Sequence, residues 1–466
     1  MPLNVAPLLT IIALSGCATF SEDGGFDSVR EQSRSLADLT PTWIRSDEDR
    51  AQANSRVSVL LGQELTVGNA VDIALLNNPR LQVEYASLGL READLVQAGR
   101  LPNPGFTFSK TSGGGAQEIE RGLHFNILAL LTMPIRSRIE HRRFEATKLS
   151  AVAATIEVAN EARTAFIEAV AAQQIASYFE QVAEAADASR TLMLRMHRVG
   201  NASRLSLARE QLFHAESLAG LARAQMSVDR ARERLIRSLG LWGEQTQFRL
   251  PDRLPELPEA PQTLTNIEAT ALAQRVDVRT ARRQLDALSE NLGLAKGTRF
   301  INVLEGGPVQ VRDRGEPKRN GYEVSLEIPI FDFGGARIAR AQALYTQASE
   351  QLRSAAINAR SEVRDAYRGY RTAFDLAKHY RDEIVPLRKQ ISDEQLLRYN
   401  GMLLGVFELI ADAREQVVSV SAYIDALRTF WLADANLQTA LISGNATSPI
   451  AMALGMPSAG ANSEAH

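Results

Sequence analysis

At 466 residues the chain exceeds a single ordinary domain and can bury a large core, so two or three domains or an internal repeat are expected. The formal charge of -3 supplies no broad basic field of the kind that draws a protein onto nucleic acid, which argues against that partner. Ala, Leu, Arg, Glu and Gln dominate the middle, aromatic residues are only 6%, and proline is scarce between Ile135 and Leu235. Such a composition favours long helices over an all-β or doubly wound α/β fold.

At the N-terminus a short apolar stretch from Val5 to Leu14 is followed by Leu14-Ser15-Gly16-Cys17. It is too short to span a bilayer, and small residues before a cysteine suit a cleavage site, so residues 1–16 are read as a bacterial lipoprotein signal. Cys17 is the only cysteine; it cannot form an intrachain disulfide and is the candidate lipidation residue. No Lys or Arg precedes the apolar core, so either the signal is atypical or the start codon is misassigned. Residues 17–64 are polar and rich in Ser, Asp and Arg, and are expected to form a lipid-anchored tether, extended or partly disordered.

The pattern changes at Leu65. Thr66 can cap a helix with apolar positions Ala70, Ile73, Ala74, Leu81, Leu88 and Leu95, which Leu101-Pro102-Asn103-Pro104 stops. Period-two alternation follows: Phe106 and Phe108 with Thr107 and Ser109, a Gly113-Gly114-Gly115 loop, then Leu123, Phe125, Ile127, Ala129 and Leu131 with His124 and Asn126. A β-hairpin is therefore expected over about 104–134. A second helix runs from about Ile135 to His197, some 90 Å at a rise of about 1.5 Å per residue, and a third from Arg204 to Leu239, making a long antiparallel hairpin. Residues 249–266, with Pro251, Pro255, Pro258 and Pro261, read as a linker.

The same programme then restarts over 267–443, leaving a C-terminal tail at 444–466. Ala74-Leu75 finds Ala271-Leu272, Pro134-Ile135 finds Pro329-Ile330, and Glu161, Arg163, Ala165 and Phe166 find Glu362, Arg364, Ala366 and Tyr367. Gly200 finds Gly401, so the offsets run 197, 195 and 201, and an ordered series of this kind marks a duplication. The second β-hairpin, at about 299–330, begins at Ile301 and Val303. It crosses a polar loop from Arg312 to Asn320 and returns through Tyr322, Val324, Leu326 and Ile328 alternating with Glu323, Ser325 and Glu327. A helix break is expected near Pro386. Half-buried strands of a soluble sheet would alternate in this way, and so would transmembrane strands. Four strands cannot close a barrel alone, and no other strand-rich segment is available to extend the sheet. A membrane role therefore requires several chains to pool their strands.

Over roughly Leu65 to Ser443 these residues resemble the TolC-like outer-membrane efflux family. The resemblance rests on Leu65-Thr66, Asn78-Pro79-Arg80-Leu81, Leu101-Pro102-Asn103-Pro104, Ile328-Pro329-Ile330-Phe331-Asp332 with Gly334-Gly335, Arg398-Tyr399, Gly401 and Ala413-Arg414. It implies a mainly α fold with a small β part: two tandem repeats of long antiparallel helical hairpins plus four transmembrane strands per chain. Three chains would pool these into one twelve-stranded β-barrel and a periplasmic α-barrel. It further implies an outer-membrane exit duct, a homotrimer in outer-membrane lipid, working with a periplasmic adaptor (membrane fusion protein) and an inner-membrane pump. The apolar strand faces would meet lipid, while His124, Asn126, Glu323 and Glu327 line the channel. The tips near Gly200 and Gly401 would form the periplasmic entrance, with Tyr399, Glu408 and Asp412 as gate candidates. Two carboxylates from each of three chains converging on a narrow axis would repel one another and attract cations.

The six histidines, His124, His141, His197, His214, His379 and His466, have no metal-ligand spacing, and there is no phosphate loop or nucleophile elbow. No catalytic residue, metal site or cofactor is expected beyond the lipid on Cys17. Two rivals are a periplasmic adaptor, which would carry one coiled hairpin flanked by β-rich domains, and a structural coiled coil, which the four strands disfavour.

Overall fold

The structure, a computed structural model, describes residues 19–114 and 116–444. The signal segment, Cys17 and the tail beyond Gly444 lie outside the described residues. Two helices come first, α1 (Phe26–Ala37) and α2 (Asp47–Leu61). The stretch 18–64 is expected as an extended or partly disordered arm; its described part, 19–64, is instead folded onto the body. Its few apolar residues are spaced to one side: Phe26, Val29, Leu39, Ala53 and Val57 are buried, and Phe26 sits edge-on to Tyr85 at 4.9 Å. Gln82 ties the strand-like connection, accepting from the Ile44 amide at 2.9 Å and donating to the Thr42 carbonyl at 2.9 Å. Composition hid a small apolar face that burial reveals.

The helix expected from Thr66 is two helices, α3 (Val67–Asn77) and α4 (Pro79–Ala98). Thr66 caps the first through the Asn69 amide at 3.1 Å, and Asn78 caps the second through Arg80, with Pro79 at its first position where no amide donor is needed. Strands β1 (Gly105–Gly113) and β2 (Ala116–Asn126) follow, then α5 (Ile127–Arg198) and α6 (Arg204–Leu239). The alternation read through Leu131 stops at Asn126, whose side chain accepts from the Ala129 amide at 2.7 Å and starts α5; Ile127, Ala129 and Leu131 are helical. At 72 residues α5 is about 110 Å long and carries Pro134 inside it.

The second copy repeats the order: α7 (Ile267–Gln274), α8 (Val276–Gly297), β3 (Leu304–Asp313), β4 (Arg319–Leu326), α9 (Gly335–His379), α10 (Val385–Asn400) and α11 (Val406–Ile442). Strand β3 starts at Leu304, later than the expected Ile301. The copies differ along the long helix: α5 starts directly after β2 and is continuous, whereas residues 327–334 separate β4 from α9, and α9 and α10 are joined by a π-turn, Tyr380–Ile384, with Pro386 in the first turn of α10. Proline cannot donate to the turn before it, and a π-turn absorbs the mismatch. The linker is pinned rather than loose. Leu254 and Leu257 are buried, Trp431 donates to the Pro255 carbonyl at 3.0 Å, and Arg381 to the Leu257 carbonyl at 3.2 Å.

The main core cluster surrounds the middle of α5, where small residues such as Ala151, Ala159, Ala162 and Ala165 let α3, α4, α6 and α11 approach closely, and a smaller cluster joins Leu292 and Ala295 of α8 to Ala341 of α9. Each copy clamps its first helix pair to its long helix with an ion pair. Arg80 reaches Glu157 at 2.7 Å and Glu161 at 2.9 Å. In the second copy the fully buried Arg275 reaches Glu362 at 2.7 Å and Asp277 at 2.8 Å. Among the described residues no helix is long and apolar enough to cross a membrane.

Candidate functional site: the two-faced sheet and the helix tips

The four strands form one antiparallel sheet in the order β1-β2-β3-β4, so β1 and β4 are both open edges. Residues directly paired across strands project to the same face. Phe106 pairs with Leu123, Phe125 with Gly306, Gly306 with Val324, Pro308 with Tyr322 and Leu304 with Leu326, which gathers the large apolar side chains on one face. They are exposed: Tyr322 86%, Phe106 66% and Val324 60%. On the opposite face lie His124, Asn126, Glu305 and Glu323. Three of the four residues proposed to line a channel thus share the polar face. The fourth, Glu327, lies just past β4. It continues the ladder through its amide to the Val303 carbonyl at 3.3 Å and accepts from Asn302 at 3.3 Å. His124 lies across from Gly105, where a side chain would collide with its ring, and hydrogen-bonds Thr107 at 3.3 Å. Gly307 has the same necessity, since a Cβ there would fall 1.8 Å from the Leu123 carbonyl oxygen. Glu118, Glu120 and Glu305 also belong to the polar face; strict alternation from His124 and Asn126 would have found the first two.

At the other end of the helices are two tips. Gly200, at φ 83, turns α5 into α6, and Met402, at φ 57, lies in the connection from α10 to α11. Met402 is 93% and Leu403 81% exposed. Tyr399 lies in the last turn of α10, its carbonyl accepting from the Met402 amide at 3.0 Å. Glu408 is exposed in the first turn of α11, where a carboxylate complements the helix dipole. Asp412, one turn further, is buried. The two carboxylates expected at a gate therefore follow one another along one helix but in different surroundings.

A linkage that the sequence reading did not single out as a site joins the two hairpins nearby. Arg414 of α11 reaches Glu210 of α6 at 3.2 Å and the Arg209 carbonyl at 3.3 Å, and its guanidinium lies over the Phe213 ring at 4.4 Å. Glu210 is buried, and its second oxygen accepts from Ser189 of α5 at 2.8 Å. Arg414 stood within the family motif; its partner, some two hundred residues away, had no signal in sequence. Beyond the π-turn no residue of α10 is buried, so the second hairpin there is held by such polar ties and by α11. Arg388 to Glu415 at 3.0 Å is another of them. No cluster of metal-ligating side chains occurs among the described residues.

A two-faced sheet at one end of helices about 100 Å long is the protomer fold of TolC-like outer-membrane channels. Residues 269–393 match the family described as outer membrane efflux protein. The solved structures agree. A membrane protein from Pseudomonas aeruginosa superposes with TM-score 0.70 at 19% identity, covering 80% of this chain and 93% of its own. The Campylobacter jejuni CmeC outer membrane channel gives 0.69 at 15% identity, covering 88% and 91%. The open state of the Neisseria gonorrhoeae MtrE outer membrane channel gives 0.66 at 18% identity, covering 81% and 89%. No curated protein sequence matches the chain. The chain thus has the fold of these outer membrane channels, and within it residues 269–393 carry the outer membrane efflux protein signature.

Proposed function

We propose that three copies assemble into the exit duct of a tripartite efflux system, passing small molecules or ions handed over by an inner-membrane pump and a periplasmic adaptor. The observation that carries this is the sheet: two open edges and one exposed apolar face on the same four strands. Lipid does not tolerate open edges, and β1 of one copy lies antiparallel to β4 of the next, so copies can close on one another. Two copies would give eight strands, an interior about filled by side chains; three give twelve and leave room for water. His124, Asn126, Glu323 and Glu327 then face the lumen, although Asn126 also serves as a helix cap.

The exposed Met402 and Leu403, with Val199 and Leu205 at the other tip, offer the adaptor an apolar surface at the entrance. Closure there is maintained by the Arg414–Glu210 tie, and Tyr399, Glu408 and Asp412 stand around the constriction. Lipidation of Cys17 anchors the chain to the outer membrane from the periplasmic side. Single-channel recording of purified protein in a planar bilayer, against a Glu408→Ala, Asp412→Ala double variant, tests the duct. Discrete cation-selective steps that grow in the variant support it; folded trimer that never conducts in either form favours an adaptor role. A lipid mass increment on the mature N-terminus, absent in Cys17→Ser, tests the anchor.

A further inference from the structure

We propose that each protomer carries, on the outward face of its sheet near the hairpin tips, a cation cluster that binds a phosphate-bearing glycolipid headgroup of the outer leaflet. The inference rests on the barrel reading above and goes beyond it, because register rather than composition creates the cluster. Lys110 pairs with Ile119 and Ile119 with Arg312, so these three share a row and a face. Arg319 pairs with Val311, which brings the preceding Lys318 opposite Arg312 at the end of that row. One row closer to the helices, Arg121 lies between Phe108 and Gln310 on the same face. Neighbouring strands are about 4.8 Å apart, so Lys110 and Arg312 are separated by roughly 10 Å, a span several phosphate oxygens can bridge.

The face these residues share is the apolar one. Below Arg121 it carries Phe106, Leu123, Phe125, Tyr322 and Val324, all exposed. The cations therefore stand where the hydrocarbon-facing band ends, and the long Arg121 side chain can lay its methylenes on that band while its guanidinium reaches the headgroups. The acidic residues at the same level are on the other face: Glu118, Glu120 and Asp313, the last paired with Arg319. Lys110, Arg121, Arg312 and Lys318 are all exposed, and none has a carboxylate partner among the described residues. Within the paired strands charge is thus sorted across the thickness of the sheet, carboxylates toward the lumen and, apart from Arg319 neutralised by Asp313, cations toward lipid. Of the surfaces on that side, an anionic headgroup complements four unpaired cations, whereas a neutral zwitterionic layer does not.

Native mass spectrometry of the full chain in neutral detergent, titrated with diphosphoryl lipid A, tests this against dephosphorylated lipid A. A Lys110→Gln, Arg121→Gln, Arg312→Gln, Lys318→Gln variant is compared with one in which Lys and Arg are exchanged at the same positions. Binding of the phosphorylated lipid should weaken roughly fivefold for each charge removed, survive the Lys–Arg exchange, and fall with salt. The dephosphorylated lipid should bind the native chain no better than the neutralised variant binds the phosphorylated one. Equal retention by native and neutralised chains, with both inserting and conducting in neutral phosphatidylcholine, overturns the headgroup site and leaves the barrel standing. Failure of the native chain to insert at all overturns the barrel and this inference with it.

Discussion

Replacing Arg414 by alanine removes the cation from a buried carboxylate at the junction of the two hairpins. Glu210 keeps only the Ser189 hydroxyl at 2.8 Å, and its side chain is 4% exposed, against 37% for Arg414. Breaking a fully buried pair costs about 3–5 kcal/mol. With one partner over a third exposed, solvent screening brings this down to about 2 kcal/mol. Loss of the contact between Arg414 and the Phe213 ring adds about 0.5–1 kcal/mol. If the tie is made only in the closed arrangement, the combined loss of about 2.5–3 kcal/mol lowers the closed-to-open ratio by roughly sixtyfold to 140-fold, since about 1.4 kcal/mol is a factor of ten. Planar-bilayer recording should show higher open probability in Arg414→Ala and in Glu210→Gln, with the double variant no more open than either single one. Native-like gating in Arg414→Ala, or effects of the two changes that simply add, would refute the latch.

Arg275→Ala should also lower stability. It takes a buried guanidinium from Asp277 and Glu362, whose side chains are 28% and 38% exposed, and releases the Ala440 carbonyl from the end of α11, for about 2–3 kcal/mol once solvent screening of the carboxylates is counted. Thermal unfolding followed by circular dichroism reads this, and Arg275→Lys should rescue little, because Arg275 holds Asp277 through both Nε and Nη2. Burial raises the Asp434 carboxyl above its ordinary range, opposed by the nearby Arg163. Folding therefore favours its protonated form, so the penalty is fully present above the folded pKa and is relieved as pH falls through it. Asp434→Asn should raise the melting temperature at neutral pH and lose that advantage at or below about pH 4, the ordinary aspartate range; a pH-independent difference would contradict the assignment.

Helical periodicity around Ala70, Ile73, Leu81 and Leu88, the breaks at Pro104 and near Pro386, and strand alternation at Tyr322 to Leu326 were all legible in the chain, whereas the break at Pro79 was not. Each is written in neighbouring residues: local steric and capping rules act within a turn or two and need no knowledge of the rest of the molecule. The repeated order of elements was legible too, as an ordered series of matches.

Long-range pairing was not. The polar stretch 18–64 looked like a tether because its apolar residues are few, yet Phe26 and Val29 find Tyr85 and α5 only once the body exists. Alternation at Ile127 to Leu131 resembled strand until the Asn126 cap committed the chain to helix. Glu210 gave no sign of its role, since its value comes from Arg414 brought against it by the packing of α6 on α11. Lys110, Arg121 and Arg312 are scattered singly in three strands, and only the register places them on one side. Local chemistry selected the elements; burial and register, which depend on what folding brings together across hundreds of residues, decided which side chains meet and which share a face.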